Sequence, residues 1–369
     1  MSSSSSAPAM MRVPQSSYVP YPMSGYEMVD VPDTFSSEVG LSQLISHGLY
    51  SSFATVAASP LNVSSIVMKA QYQSPGFFIP PTPTRPAPGR AGPQPDTSVT
   101  SPVNYPQLDG LMRALVALVD DSGVLSLWKA LVPQTLMALF HSLTQSSAES
   151  ILNEVFLLDD HVPIESMDHF LPNLGTLFAS HALTNLLSAP ANTVLTRMVL
   201  ERPSPKAKYT SFWGSLFTIF REEGIGGLFA GWMPFVLERT IPVTLRTLSS
   251  IFFDRYLRLT DASIITSMLA EAVVNLTELA ITSPLSTAAV RLQAQQVFKR
   301  SRQLSRPYVP LVAISPVPYK SWVDCIVRIP REEGIRSLYR GIESRFFSNI
   351  VHTSMMYVSE LEIDEISEI

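Results

Sequence analysis

Glu238, Arg239, Arg246, Glu271 and Glu278 are ionisable residues set inside stretches that are otherwise apolar. His141 and His352 share that setting. A charge in such surroundings either meets an opposite charge on a neighbouring helix or contacts a solute or partner. No set of three equivalent residues stands out among them, so mutual neutralisation inside a bundle is the plainer expectation. Lys299, Arg300, Arg302 and Arg306 form a second set, with no acid among them. Each could contribute about 1 kcal/mol near an anionic membrane surface. An acidic partner, or a merely solvated loop, would fit the same residues.

Covalent chemistry finds no support. The sequence has no phosphate-binding glycine loop, no His/Cys metal spacing and no Gly-x-Ser-x-Gly, so neither enzyme, cofactor nor metal is expected. Cys325 is the single cysteine, which excludes an internal disulfide. Glu222-Glu223 and Glu332-Glu333 each precede a glycine and read as charges at the ends of helices rather than as an acid/base pair.

The elements that must position these residues come from a repeat. Tyr209–Gly231 recurs as Tyr319–Gly341 at a constant offset of 110 residues, with Arg-Glu-Glu-Gly-Ile in register. Gly123, Leu127, Trp128, Lys129 and Pro133 echo it at an offset of 101. Upstream of each copy stands a proline, in SPLNVSSIVMK, APANTVLTRMV and SPLSTAAVRLQ, at Pro60, Pro190 and Pro284. Such periodicity means one structural unit used three times. Each unit holds two apolar segments, and the third segment carries no charged residue from Leu171 to Thr196, long enough to cross a bilayer. In it Gly175, Ala179 and Ala182, and Ser180, Thr184 and Ser188, form two faces suited to close helix packing.

Composition agrees. Charged residues make up 15% of the chain, against about a quarter in soluble domains, and mean hydropathy is +0.19. A net charge of −5 argues against nucleic acid as a partner. Residues 1–35 are rich in Ser and Pro and are expected to be disordered. They have neither the apolar run of a signal peptide nor the repeated arginines of a transit peptide, so targeting is expected to be internal.

The two motifs together resemble the mitochondrial carrier family, with three tandem repeats reading Pro-x-Asp/Glu-x-x-Lys/Arg and then Glu-Gly-x-x-x-Leu-aromatic-Arg-Gly. The resemblance implies an all-α bundle of six transmembrane helices. It divides the chain into a tail (1–35), repeat one with a Pro-rich insertion (36–155), repeat two (156–260) and repeat three (261–369). Pro60, Pro190, Pro284, Arg197, Arg291, Gly224, Gly231, Gly334 and Gly341 are then the structural residues of the motifs. In transporting members the acid two residues after Pro pairs with the base five after Pro of the next repeat. Here Asn62, Asn192 and Ser286 stand at the acid positions, and Ser65, Leu195 and Ala289 at the base positions. Arg197 and Arg291, seven after Pro, and Gln293, nine after Pro, still match. The missing charges, with the Ser/Pro tail and long first connector, make the chain similar to the Ugo-type fungal fusion factors within the family. That likeness implies a non-transporting scaffold of the mitochondrial outer membrane. Its partners would be membrane lipid, a mitofusin-type outer-membrane GTPase and a dynamin-like inner-membrane GTPase, with a homodimer left open. The alternatives are a mitochondrial solute carrier with atypical gates, or an outer-membrane insertase or lipid scramblase.

Overall fold

The computed structural model describes residues 38–73, 108–158, 164, 170–204, 207–253, 255, 264–295 and 308–367. The Ser/Pro tail, the Pro-rich insertion and the four basic residues Lys299, Arg300, Arg302 and Arg306 lie outside them.

Six long helices carry the fold: α1 (Glu38–Ala70), α3 (Leu131–Phe156), α4 (Leu171–Leu200), α7 (Trp232–Phe252), α8 (Ile264–Ala294) and α10 (Ile342–Ser367). Short helices join the two long helices of each repeat: α2 (Leu111–Ser122), α5 (Phe212–Glu223) followed by the single turn α6 (Ile225–Leu228), and α9 (Trp322–Glu333). Among the described residues there is no strand, only one isolated antiparallel bridge, Glu201 with Pro310. Each long helix packs on the next in chain order, α10 closes on α1, and α1, α4 and α8 also meet one another. The result is a closed ring of three helix pairs.

The ring is inverted relative to a water-soluble bundle. On α3, Val132, Leu136, Leu139 and Leu143 are exposed, whereas His141, Gln145 and Asn153 are buried. On α8, Leu269, Val273 and Leu276 face outward while Glu278, Thr282 and Ser283 face in. An apolar exterior around a polar interior suits lipid outside and satisfied polar groups within. By length and composition one described helix, over Leu269–Ala294, is apolar enough to cross a membrane unaided. The others carry too much of the polar interior on one face to score as uniform apolar runs. On α4 the Ser180, Thr184 and Ser188 face is the buried one, and Gly175 and Ala179 lie on the exposed face. Cross-helix hydrogen bonds join the interior, Gln145 to Ser180 at 2.9 Å and Thr176 to Asn153 at 2.8 Å. In a membrane such bonds contribute about 0.6 kcal/mol each on average.

Pro60, Pro190 and Pro284 sit inside α1, α4 and α8, and all three helices continue through them. The connector helices α5 and α9 stop at Gly224 and Gly334, whose φ values of 77° and 87° lie where glycine is favoured. Gly231 and Gly341 are needed for approach as well as conformation. A Cβ on Gly231 would stand 3.0 Å from the Ala289 carbonyl oxygen, and one on Gly341 3.1 Å from that of Ser65. Each glycine therefore packs on the position five after Pro in another repeat, the place where the family pattern puts a base.

Candidate functional site

The site is the end of the bundle where α1, α4 and α8 meet beyond their prolines. Arg291, near the end of α8, donates from Nε to the Lys69 carbonyl at 3.0 Å and from Nη2 to the Gln71 carbonyl at 2.7 Å. The same guanidinium forms a buried ion pair with Glu333 at the end of α9. Tyr319 adds its hydroxyl to Arg291 at 3.0 Å. Arg197, at the end of α4, repeats the arrangement. It donates to the Gln293 and Gln295 carbonyls at 3.0 and 2.9 Å, pairs with Glu223, and meets the Tyr209 hydroxyl at 3.4 Å. Each arginine satisfies the last carbonyls of another repeat's helix, which have no partner within their own helix. A planar fork with several donors suits that task better than an ammonium does.

Glu223 and Glu333 thus acquire a role that the sequence did not assign them. They do end α5 and α9 before a glycine, and they are also the buried partners of Arg197 and Arg291. Lys208 binds the neighbouring Glu222, and Arg340 joins Glu333 at 3.2 Å.

A second layer links the positions two and nine after Pro. The Asn192 amide donates to Gln293 Oε1 at 3.0 Å, and the Thr196 hydroxyl to the same oxygen at 2.8 Å. Lys69 Nζ donates to the Ser286 hydroxyl at 2.9 Å. Ser286 also hydrogen-bonds the Glu238 carboxylate, and Glu238 pairs with Arg345 at 2.5 Å. This chain runs Lys69–Ser286–Glu238–Arg345 through α1, α8, α7 and α10, and so through all three repeats. The uncharged Asn62, Asn192, Ser286, Ser65, Leu195 and Ala289 predict an end without a charged lock between repeats, and the structure corrects that. The charges are absent from the positions two and five after Pro, but an ion pair and a run of hydrogen bonds close the same end from other positions.

Repeat one keeps little of this. Val67 stands where Arg197 and Arg291 stand, Ser122 where Glu223 and Glu333 stand, and Leu108 where Tyr209 and Tyr319 stand. Val199 replaces Gln293 and Lys69 nine after Pro190. The arginine, its carboxylate and its tyrosine are therefore lost together. That is the expected pattern, because a buried charge whose partner has gone is strongly destabilising. Asn62 pairs instead with Ser348 at 3.0 Å. Lys129, in the place of Arg340, reaches the Glu201 carbonyl.

The remaining polar residues lie deeper in the ring. Arg246 holds Glu278 at 2.8 Å and Asn275 at 2.9 Å across α7 and α8, as mutual neutralisation requires. Arg239 and Arg246 are seven apart on one face of α7, and Glu271 and Glu278 seven apart on one face of α8. Arg239 lies 5.9 Å from the Phe235 ring and acts electrostatically on His141 and His352. The rings of His141 and His181 are 5.6 Å apart. Lys69, Arg239 and Arg345 thus share the neighbourhood of one carboxylate, Glu238. Lys69, Arg345, Glu223 and Glu333 were not singled out as site residues from the sequence. Lys69 and Arg345 sit at helix ends bordering polar segments, and position alone does not distinguish them from surface residues. No group of three or more His, Cys, Asp or Glu suited to a metal occurs among the described residues.

The profile of the family "Mitochondrial carrier protein" matches residues 168–257 and 260–363, together more than half of the chain. The chain is 22% identical to the mitochondrial substrate carrier family protein ucpB of Dictyostelium discoideum, over 68% of this chain and 79% of that protein. It is 22% identical to the probable mitochondrial 2-oxoglutarate/malate carrier protein of the same organism, over 69% of this chain and 76% of that one. Mitochondrial thiamine pyrophosphate carrier 1 of Kluyveromyces lactis is also 22% identical, over 71% and 81%. An inverted six-helix ring, three repeats closed at their proline ends and a family match over more than half the length lead to one conclusion: this chain is a multi-pass membrane protein of the mitochondrial carrier family.

Proposed function

We propose that the chain moves a small anionic solute across a mitochondrial membrane by opening and closing the ring. The observation that carries this reading is the chain Lys69–Ser286–Glu238–Arg345. A transporter needs a closed end that is firm yet reversible. Polar contacts at one narrow layer can be exchanged for water or solute. Lys69, Arg239 and Arg345, gathered around Glu238, are groups that a carboxylate or phosphate could meet in the ring. The relatives named for 2-oxoglutarate/malate and for thiamine pyrophosphate support the same class. They also support the solute-carrier alternative over the fusion scaffold, whose premise was an end without a lock.

The test is counter-exchange by purified protein in liposomes loaded with unlabelled dicarboxylates or thiamine pyrophosphate. Saturable uptake of a labelled anion supports the reading. Folded protein that exchanges no anion from a broad panel, yet co-purifies from mitochondria with the fusion GTPases, contradicts it. That second outcome would favour the outer-membrane scaffold. The feature of the structure that suits a scaffold is the apolar character of the seam between repeats one and two.

A further inference from the structure

At two seams of the closed end buried arginines lock one repeat to the next, and at the third they are gone. The third seam lies between α1 with its connector helix α2 and the end of α4. What fills it belongs to neither repeat. Residues 308–314, from the long connector after α8, cross the end of the bundle. Leu311 N donates to the Leu200 carbonyl at 2.7 Å, and Arg202 N to the Val309 carbonyl at 2.9 Å, which ties this strap to repeat two. Tyr72 N donates to the Ala313 carbonyl at 2.8 Å, which ties it to repeat one.

Between these anchors Leu311 and Val312 are buried, Val312 completely. They share one core cluster with Val67 and Met68 of α1, Leu108 and Leu118 beside and in α2, and Leu195 and Val199 of α4. Val67, Leu108 and Val199 are the residues that replace the arginine, the tyrosine and the polar position nine after Pro. The apolar residues of repeats one and two at this seam and the strap from repeat three thus account for each other. Apolar side chains at those positions would leave a void or a wet gap, and the strap covers them. Polar contacts at the seam include Lys129 on the Glu201 carbonyl, the partly exposed pair Arg202–Asp121 at 3.1 Å, and Leu108 N on Gln71 Oε1 at 3.2 Å.

We propose that residues 308–314 are a latch: an apolar strap that holds repeats one and two together in place of the missing polar lock, and that must lift before this end of the ring opens. The seam under the strap then opens on a different signal from the other two. Polar locks yield to a competing charge; the strap yields to whatever draws the connector off the bundle. The functional meaning of the latch rests on the transport reading, but its mechanical claim does not.

The test uses the full chain in liposomes and two variants. In Leu311→Ser/Val312→Ser, amide hydrogen exchange at residues 63–70 and 195–200 is expected to rise at least tenfold, with little change at residues 322–333, where Arg291 holds Glu333. In Arg202→Cys/Val309→Cys, oxidation staples the strap to repeat two, and exchange at the same two segments is expected to fall below that of the reduced protein. Unchanged exchange in both variants overturns the latch. A rise spread evenly over the whole bundle in the serine variant, with no protection from the staple, overturns it too. Anion uptake is read on the same preparations: the staple should stop it and reductant restore it. If no preparation takes up any anion, the transport reading fails, and the exchange data still decide the latch.

Discussion

Arg291 and Glu333 form a buried ion pair whose guanidinium also holds the carbonyls of Lys69 and Gln71. One residue of repeat three therefore fastens its own connector helix and the end of repeat one's first helix at a single point. Arg197 and Glu223 do the same between repeats two and three. The pseudo-threefold end is built as two such clasps and one apolar seam.

Removing one partner of either clasp leaves the other charge buried. Arg291→Ala or Glu333→Ala should destabilise the bundle by roughly 3–5 kcal/mol. Arg113→Ala breaks an exposed pair with Asp109 and should cost no more than about 0.5 kcal/mol. Thermal unfolding in detergent compares the two, and equal losses would contradict the clasp. The double variant Arg291→Met/Glu333→Leu should recover part of the loss, because the two most deeply buried charges go together while Arg340 keeps its bonds to the Gln71 carbonyl and Gln73.

Glycine position separates conformation from contact. Gly231 has φ 64° and a Cβ site 3.0 Å from the Ala289 carbonyl oxygen, whereas Gly224 has φ 77° and open space. Gly224→Ala should cost roughly 1–3 kcal/mol, because φ 77° with ψ −164° is a conformation that essentially only glycine adopts. Gly231→Ala should cost more, because α7 and α8 must also move apart. Urea or thermal unfolding of the two variants checks the order.

Burial pushes the Cys325 thiol up to about 12, and the side chain packs with Ala288, Tyr319 and Ile329. The reactive thiolate is therefore negligible at pH 8. Folded protein should not react with a maleimide, and one equivalent should react after unfolding. Labelling of native protein at a rate like that of free cysteine would contradict the packing of α9.

The glutamate at the centre of the lock predicts a separable effect. Glu238→Gln keeps size and hydrogen bonding but leaves Arg345 and Lys69 without their carboxylate. Uptake should fall at least tenfold, and Glu238→Gln/Arg345→Gln should exceed the single variant. A single variant that transports normally would remove Glu238 from the account.

Much of this architecture could be read from residue spacing. The Tyr209–Gly231 repeat and the three prolines gave the six helices, and α4 runs over Leu171–Leu200 as the charge-free stretch requires. The Arg246–Glu278 pair was legible as charge neutralisation between neighbouring apolar segments. The clasps were half legible: Arg197 and Arg291 matched a pattern, but Glu223 and Glu333 lie 26 and 42 residues further on, and only packing of the connector helix under the bundle brings them in. The Lys69–Ser286 contact spans 217 residues between positions with no charge complementarity, so nothing in local sequence marks it. The strap was hidden for a similar reason: a connector rich in Pro, Val and Leu reads as a loop until the valines and leucines it covers are seen beside it.

The central claim is that the closed end opens. Ser286 lies at the middle of the lock, 4% exposed, and Ser286→Cys changes its size little. The most direct measurement is labelling of this cysteine in oriented proteoliposomes, with a membrane-impermeant maleimide applied from either side. Labelling from each side in turn, shifted by addition of a transported anion, is the predicted result. A cysteine reached from one side only, or from neither, whatever anion is present, would mean a permanently closed bundle and would contradict the account.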